Sequence, residues 1–318
     1  MNHLGIDIAK RKFDVALIRD GKYRTHVFEN TEAGHRQLLA WLEKHDGLPV
    51  HACMEATGEY GTALATFLYD EGVTVSMINP AKIKGFAQSE LARTKTDKAD
   101  AKLIARFCRA HTPSAWQPAP PEIRQLQALA RRLDALNEML RMETNRLENA
   151  NDVVVPSIEQ VSQQLELQIK AVREKISQHI DRHHDLRSRR DLLDSIPGIG
   201  QTTITQILTF MTSEAFTSAK QVASFLGLNP RHHQSGSSVH AKARLSKTGD
   251  SRLRVAFYMP AIVAMRYNPV IKAFSQRLLA AGKPKMLIVG ACMRKLAHIV
   301  FGVLKSGRPF DVKLASMG

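Results

Sequence analysis

His3-Leu4-Gly5-Ile6-Asp7-Ile8-Ala9, followed by the runs Phe13 to Ile18 and Tyr23 to Phe28, is the stretch on which the fold turns. Each run has strand length and apolar character. A short basic turn, Lys10-Arg11-Lys12, separates the first two, and Asp20-Gly21 is a hairpin signal before the third. Three meandering strands are therefore expected at the start. Working outward, residues 32–45 read as a helix with Leu38, Leu39 and Leu42 on one face. Val50 to Met54 is a short apolar strand that ends at Glu55. A helix is expected from Tyr60 to Asp70, then a strand from Val73 to Ile78, stopped by Asn79-Pro80. Strands alternating with helices predict an α/β domain, and the opening meander makes its sheet mixed.

Residues 81–111 read as helical pieces, and Pro113, Pro118, Pro120 and Pro121 mark a linker. Beyond it the period changes. Leu126, Leu129, Leu133, Leu136 and Leu140 step by threes and fours, as do Ile158, Val161, Leu165, Ile169, Val172, Ile176 and Ile180 after Pro156. Two such helices form an antiparallel hairpin or coiled coil, packed within one chain or serving as a dimer interface. Past the run Arg187-Ser188-Arg189-Arg190, helices are expected over 215–226, 251–266, 270–281 and 286–305. Three domains result: 1–115, a central helical segment 116–186, and a mainly α-helical part 187–318.

The net charge of +15 is unevenly placed. Residues 1–186 hold 25 Lys and Arg and 25 Asp and Glu, whereas residues 187–318 hold 20 against 5. The whole excess lies in the C-terminal part, which suggests a polyanionic partner, nucleic acid before membrane. No uninterrupted apolar run reaches the ~18 residues of a membrane span. The N-terminus lacks a basic-then-apolar signal region, so an intracellular protein is expected. Cys53, Cys108 and Cys292 are odd in number and far apart in sequence. Each reads as a small buried apolar residue rather than part of a disulfide or zinc framework.

Three constellations carry chemistry. The first is acidic. Asp7 sits between Ile6 and Ile8 and points to the opposite sheet face from them. Glu55 closes a strand, where ligands of open α/β sheets gather. Asp97 and Asp100 share one face of a helix and repel each other. Either nearby Lys95 and Lys98 neutralise them, or a divalent cation does. Mg²⁺ favours such hard oxygen donors, and metal ions can clamp a scissile phosphodiester. The second is Ile196-Pro197-Gly198-Ile199-Gly200, a glycine turn between two helices. It resembles a helix–hairpin–helix module, whose backbone N–H groups can hold a DNA phosphate. The third is the polar loop Pro230 to Ser238, with Ser235 among Arg231, His233, Lys242, Arg244 and Lys247. A phosphate held there would have its developing charge stabilised, although no general base stands at fixed spacing from the serine.

Taken in order, Gly5-Ile6-Asp7, Met54-Glu55-Ala56-Thr57-Gly58, Asn79-Pro80, Lys95-Thr96-Asp97-Lys98-Ala99-Asp100-Ala101, Ile196-Pro197-Gly198-Ile199-Gly200, Ser235-Gly236-Ser237-Ser238 and Met293-Arg294-Lys295-Leu296-Ala297 resemble the DEDD-type transposases of the insertion-sequence one-hundred-ten family. The resemblance spans nearly the whole chain. It implies an RNase H-like (RuvC-like) N-terminal domain with its four acids at Asp7, Glu55, Asp97 and Asp100, a central coiled coil, and a C-terminal transposase domain with a nucleophilic serine at Ser235. Ser237 and Ser238 are close enough to compete for that assignment. It further implies a structured guide RNA that pairs with donor and target DNA, leaving the protein to hold backbone and shape.

The expectation is a bacterial, cytoplasmic DNA recombinase, a homo-oligomer. Mg²⁺ on Asp7, Glu55, Asp97 and Asp100 would position a phosphodiester, and Ser235 would attack it. Gly198, Gly200, Arg231, Lys242, Arg244 and Lys247 would hold DNA or RNA. Two alternatives stay open: a metal-dependent junction nuclease that needs the acids and water but no serine, and a non-enzymatic nucleic-acid scaffold with structural acids.

Overall fold

A computed structural model describes residues 1–56, 59–90, 96–211, 216–235 and 239–313, with backbone alone at 59, 232–235 and 239–244. Two compact units emerge, Met1–Ala119 and Pro120–Gly318.

The first unit is built on five strands. β1 (Asn2–Ile8), β2 (Lys12–Arg19) and β3 (Lys22–Glu29) form the antiparallel meander, and β4 (Val50–Glu55) and β5 (Thr74–Ile78) add on the other side, parallel to β1. The order β3-β2-β1-β4-β5 gives a mixed sheet. Helices α1 (Glu32–Lys44), α2 (Thr62–Asp70), α3 (Pro80–Ser89) and α4 (Asp97–His111) complete the unit. Their starts are encoded locally. Thr31 accepts from Gly34 N, Asn79 from Ala81 N with Pro80 at the first turn, and Thr96 from Ala99 N.

Strand alternation and register sort the side chains into two faces. Leu4, Ile6, Phe13, Val15, Leu17, Ala52, Met54 and Val75 cluster with Leu38, Leu42, Leu64 and Leu68 of α1 and α2. Each fully buried leucine there contributes roughly 1.5–3 kcal/mol. The opposite face receives α4. Gly5 makes that docking possible, because a Cβ on it would lie 2.1 Å from Ala101 O and 2.3 Å from Ala105 N. Ala16, Ile18, Ala101 and Ala105 pack together beside this contact, and Cys53, Ile78, Ile104, Phe107 and Cys108 pack further along.

Two of the cysteines, distant in sequence, meet here. The ligating atoms of His51, Cys53 and Cys108 all lie within 4.8 Å of one another, a proximity that sequence spacing conceals. All three residues are buried, as expected of the cysteines, and internal hydrogen bonds serve the cluster. Ser76 Oγ is 2.8 Å from His51 Nε2 and donates toward the Pro113 and Ser114 carbonyls, while Cys108 Sγ donates to His51 O. The adjacent Cys108 and burial push the Cys53 thiol strongly up, so it stays protonated.

The second unit opens with α5 (Pro121–Leu147) and α6 (Val155–Arg182), long helices that pack on each other. The start of α5 meets the end of α6, with His179 Nε2 2.8 Å from Glu122 O, so the pair is antiparallel within one chain. Ile123, Leu126, Leu133 and Leu136 face Ile169, Val172, Ile176 and Ile180 as buried residues. Toward the tip the seam opens, and Met139, Met142, Val161 and Leu167 are exposed.

α7 (His184–Asp194), α8 (Gln201–Phe210), α9 (Ala219–Phe225), α10 (Ser251–Ala256), α11 (Tyr258–Tyr267), α12 (Pro269–Ala280) and α13 (Lys285–Ser306) form the rest. By length and composition α13 is long and apolar enough to cross a membrane, but half of it is buried inside the unit, and Cys292, Leu296 and Val300 lie in the core. Two differences from the sequence expectation concern local structure. The helix expected over 251–266 breaks at Phe257 into α10 and α11. The stretch expected as a loop is a hairpin, β6 (Pro230–Ser235) against β7 (Val239–Leu245), with a register shift between Arg231 and His233.

Candidate active site

The acids of the first unit converge from three elements. Asp7 stands near the end of β1, and Glu55 ends the neighbouring parallel strand β4 on the same face. Asp97 and Asp100 occupy the first turn of α4. That position suits carboxylates, because the helix N-terminus carries partial positive charge.

Asp7 reports how closely these groups gather. Burial first, then the charges of Asp100, Asp97, Glu55 and Asp14, raise its carboxyl from 3.8 to about 6. A carboxyl titrating this far from its usual range inside a cluster of like charges is a mark of functional sites. Glu55, Asp97 and Asp100 therefore all lie within electrostatic reach of Asp7.

Two residues join the site that the sequence did not flag. Asp14 sits directly opposite Asp7 in the antiparallel ladder and is buried. It lies between Phe13 and Val15, the same acid-between-apolars pattern that singled out Asp7. Lys12 Nζ reaches Asp97 Oδ2 at 2.8 Å and Asp14 Oδ2 at 3.4 Å. Asp97 is thus paired with a lysine from β2, whereas the sequence suggested Lys95 or Lys98. The hydrogen bond to Lys12 holds the Asp97 carboxyl below its usual range, and Asp97 in turn raises Lys12.

The remaining named residues belong to the second unit. Ser195 to Gly200 form the turn between α7 and α8. Gly198 has φ +104°, and a Cβ there would lie 2.8 Å from the Ala264 side chain, so this glycine is consumed by packing against α11. Gly200 has open space around it and leaves the N-terminus of α8 without a side-chain cap. Asn268 braces the turn by donating to Pro197 O at 3.3 Å while capping α12 at Val270 N and Ile271 N.

Ser235 is the last residue of β6, paired through its backbone with Val239. Its side chain, and those of His233, Lys242 and Arg244, lie outside the described residues, as do Ser237 and Ser238 entirely. Arg231 is exposed on β6 opposite Arg244 on β7. Lys247 follows the hairpin at φ +55°, where its carbonyl accepts from Arg254 Nη1, which also donates to Leu226 O.

A transposase family model of the DEDD IS110 type matches residues 4–156, and a second, for transposases of the IS116/IS110/IS902 family, matches residues 190–276. The chain is 35% identical over 317 residues, 98% of both chains, to the pilin gene-inverting protein of Moraxella bovis. The chain belongs to the IS110 family of transposases. Its Moraxella lacunata counterpart matches to the same extent. A 43.6 kDa protein of insertion element IS110 from Streptomyces coelicolor is 25% identical over 164 residues, covering 51% of this chain and 39% of that one. As a member of the IS110 family, this chain is an enzyme that recombines DNA. All four acids fall inside the span of the first family model, and Ser235 falls inside that of the second.

Proposed function

We propose that this transposase cleaves and rejoins DNA strands with a two-part site. One part is a Mg²⁺ centre on Asp7, Glu55, Asp97 and Asp100 in an RNase H-like fold. The other is Ser235 on the β6–β7 hairpin. The observation that carries the reading is the convergence of β1, β4 and the first turn of α4, recorded by the raised Asp7 carboxyl.

The donor set fits the metal. Four carboxylates supply hard oxygens, and their mutual repulsion is what a divalent cation relieves. When bound, Mg²⁺ supplies Lewis-acid polarisation of a phosphodiester oxygen. The chain's own residues do the rest. Ser235 Oγ attacks phosphorus, so an O–P bond forms as the P–O3′ bond breaks. The serine proton leaves and O3′ takes one up, giving a free 3′-hydroxyl. Attack by another 3′-hydroxyl on the serine-linked phosphate rejoins the strands and restores the serine. Number and type of bonds are conserved, so no external energy source is required. Arg231, Lys242, Arg244 and Lys247 hold phosphates around the hairpin, and the turn at Gly198 and Gly200 grips the backbone.

The name of the Moraxella relatives, gene-inverting proteins, fits a rearrangement of this class. A guide RNA supplies target choice, and the protein acts in the bacterial cytoplasm as a homo-oligomer.

Trapping tests this. Wild-type protein incubated with DNA carrying the element ends and Mg²⁺, then denatured, gives a covalent protein–DNA adduct. Ser235→Ala gives none, and Asp7→Asn gives none while retaining fold and DNA binding. Mg²⁺-dependent cleavage that persists in Ser235→Ala would make the enzyme a water-using nuclease. Full recombination by Asp7→Asn would remove the metal centre from the mechanism.

A further inference from the structure

Lys12 opens β2, just past the turn that follows the strand of Asp7. Its backbone is fixed in place. Ala9 N donates to Lys12 O at 2.9 Å, and Asn30 spans the turn, donating through N to Arg11 O at 2.9 Å and through Nδ2 to Ala9 O at 3.1 Å. Glu29 faces Lys12 directly in the β2–β3 ladder. An opposite charge in that position offers an ordinary cross-strand pair. The ammonium goes elsewhere. It bridges the Oδ2 atoms of Asp14 and Asp97, at 3.4 and 2.8 Å, and so links β2 to the first turn of α4.

The choice of partners puts a cation inside the proposed strand-cleavage site. Asp7 feels the charges of Asp100, Asp97, Glu55 and Asp14, so five carboxyl groups gather there. Each DNA phosphate brings a further negative charge. One divalent ion does not neutralise five carboxylates, and a phosphodiester that enters meets repulsion unless a second cation stands beside it. Lys12 is placed to be that cation. Its side chain is 50% exposed, and an exposed ion pair such as the one with Asp97 holds weakly. The ammonium carries three N–H donors on a flexible four-carbon stem, and the two carboxylates take two of them.

We propose that Lys12 is a phosphate-binding residue of this site. In the metal-free protein Asp97 and Asp14 hold its ammonium. Once those carboxylates are neutralised, the ammonium turns to a non-bridging oxygen of the phosphate to be cleaved and stabilises the charge that develops on it. Lys12 keeps its proton throughout, so it acts by charge alone. The inference rests on the Mg²⁺ reading of the four acids and not on Ser235, so it is testable in Ser235→Ala protein.

The experiment is a salt titration of DNA binding by the full chain carrying Ser235→Ala. End-labelled DNA with the element ends is followed by anisotropy between about 50 and 200 mM salt, once with a fixed concentration of Mg²⁺ and once with EDTA. With EDTA, proteins with Lys12 and with Lys12→Met should give the same slope of log K against log salt. With Mg²⁺, Lys12→Met should give a slope shallower by about 0.9, the loss of one phosphate contact. Lys12→Arg, which keeps the charge, should restore the steeper slope. A residue that only braced α4 would not change the slope in this metal-dependent way. Thermal melting with and without Mg²⁺ reports the metal centre separately. Absence of a Mg²⁺ shift in the Lys12 protein defeats the metal reading and this inference with it. Where the shift is present, equal slopes under Mg²⁺ overturn the inference alone. A slope difference of the same size with EDTA overturns it too, because Lys12 would then contact phosphate without release from Asp97.

Discussion

Asp14 faces Asp7 directly across the β1–β2 ladder, one acid opposite another on the sheet face that receives α4. Like charges in directly opposed positions destabilise a sheet. Their retention at the edge of a four-carboxylate cluster places the cost where the chemistry is proposed.

That cost depends on pH. Asp7 titrates at about 6 in the folded protein against 3.8 unfolded. The native state therefore holds the proton more tightly between these values. Stability falls as pH rises through this window, and above about 6 the penalty is fully present, at most ~3 kcal/mol. Urea unfolding of metal-free protein at about pH 5 and about pH 7.5 should show wild type losing more stability than Asp7→Asn. Asp14→Asn should move the decline to lower pH. Mg²⁺ should flatten the wild-type slope and leave that of Asp7→Asn nearly unchanged.

Lys12 occupies the carboxylate cluster from the side of β2. The pair with Asp97 is solvent-exposed, 50% and 57% for the two side chains. Its loss in Lys12→Met should leave the urea midpoint close to that of wild type. The same change removes a cation that competes for Asp97 and Asp14, so the Mg²⁺ concentration giving half the thermal shift should fall. An unchanged or higher requirement would show that Lys12 does not compete with metal.

Gly5→Val tests the seat of α4. A side chain there meets helix backbone at 2.1–2.3 Å, so α4 must move. Overpacking of this kind costs roughly 1–3 kcal/mol or more. Because α4 carries Asp97 and Asp100, strand cleavage should fall further than the lowered urea midpoint explains. Gly72→Val, in open space at a loop, should leave cleavage near wild type despite the strain of its φ of +75°.

The helical hairpin separates folding from association. Leu136 is 1% exposed against α6, so Leu136→Ala should cost about 2–5 kcal/mol at any protein concentration. Leu167, 62% exposed midway along α6, should tolerate Leu167→Glu with little change in melting temperature. If this face of α6 joins two copies, that substitution lowers the mass measured by light scattering. An unchanged mass excludes Leu167 from the assembly contact.

Much of the first unit was legible because its signals are local. Strand-length apolar runs, the Asp20-Gly21 turn and the Asn79-Pro80 stop each act within a few residues. Asp7, Glu55, Asp97 and Asp100 were legible from position on predicted elements together with the family resemblance. Asp14 and Lys12 were not, because their importance comes from register: only the β1–β2 pairing sets Asp14 against Asp7 and brings Lys12 to Asp97, 85 residues away. The meeting of Cys53 with Cys108 is hidden for the same reason. The β6–β7 hairpin escaped although Val239 to Leu245 alternates apolar and polar residues, because Pro230 to Ser238 shows no such pattern and its glycine and serines read as a polar loop.

The sheet of the first unit divides labour between its faces, and this bears on the fate of gene copies. The apolar face against α1 and α2 supplies most of the unit's packing, while the acids sit on the other. On the proposed mechanism, an acid-to-amide mutation would silence strand cleavage while leaving the apolar face, and the basic second unit, intact. A disabled copy would then persist as a folded protein that competes for the same DNA, and a lineage would restrain itself by accumulating its own dead.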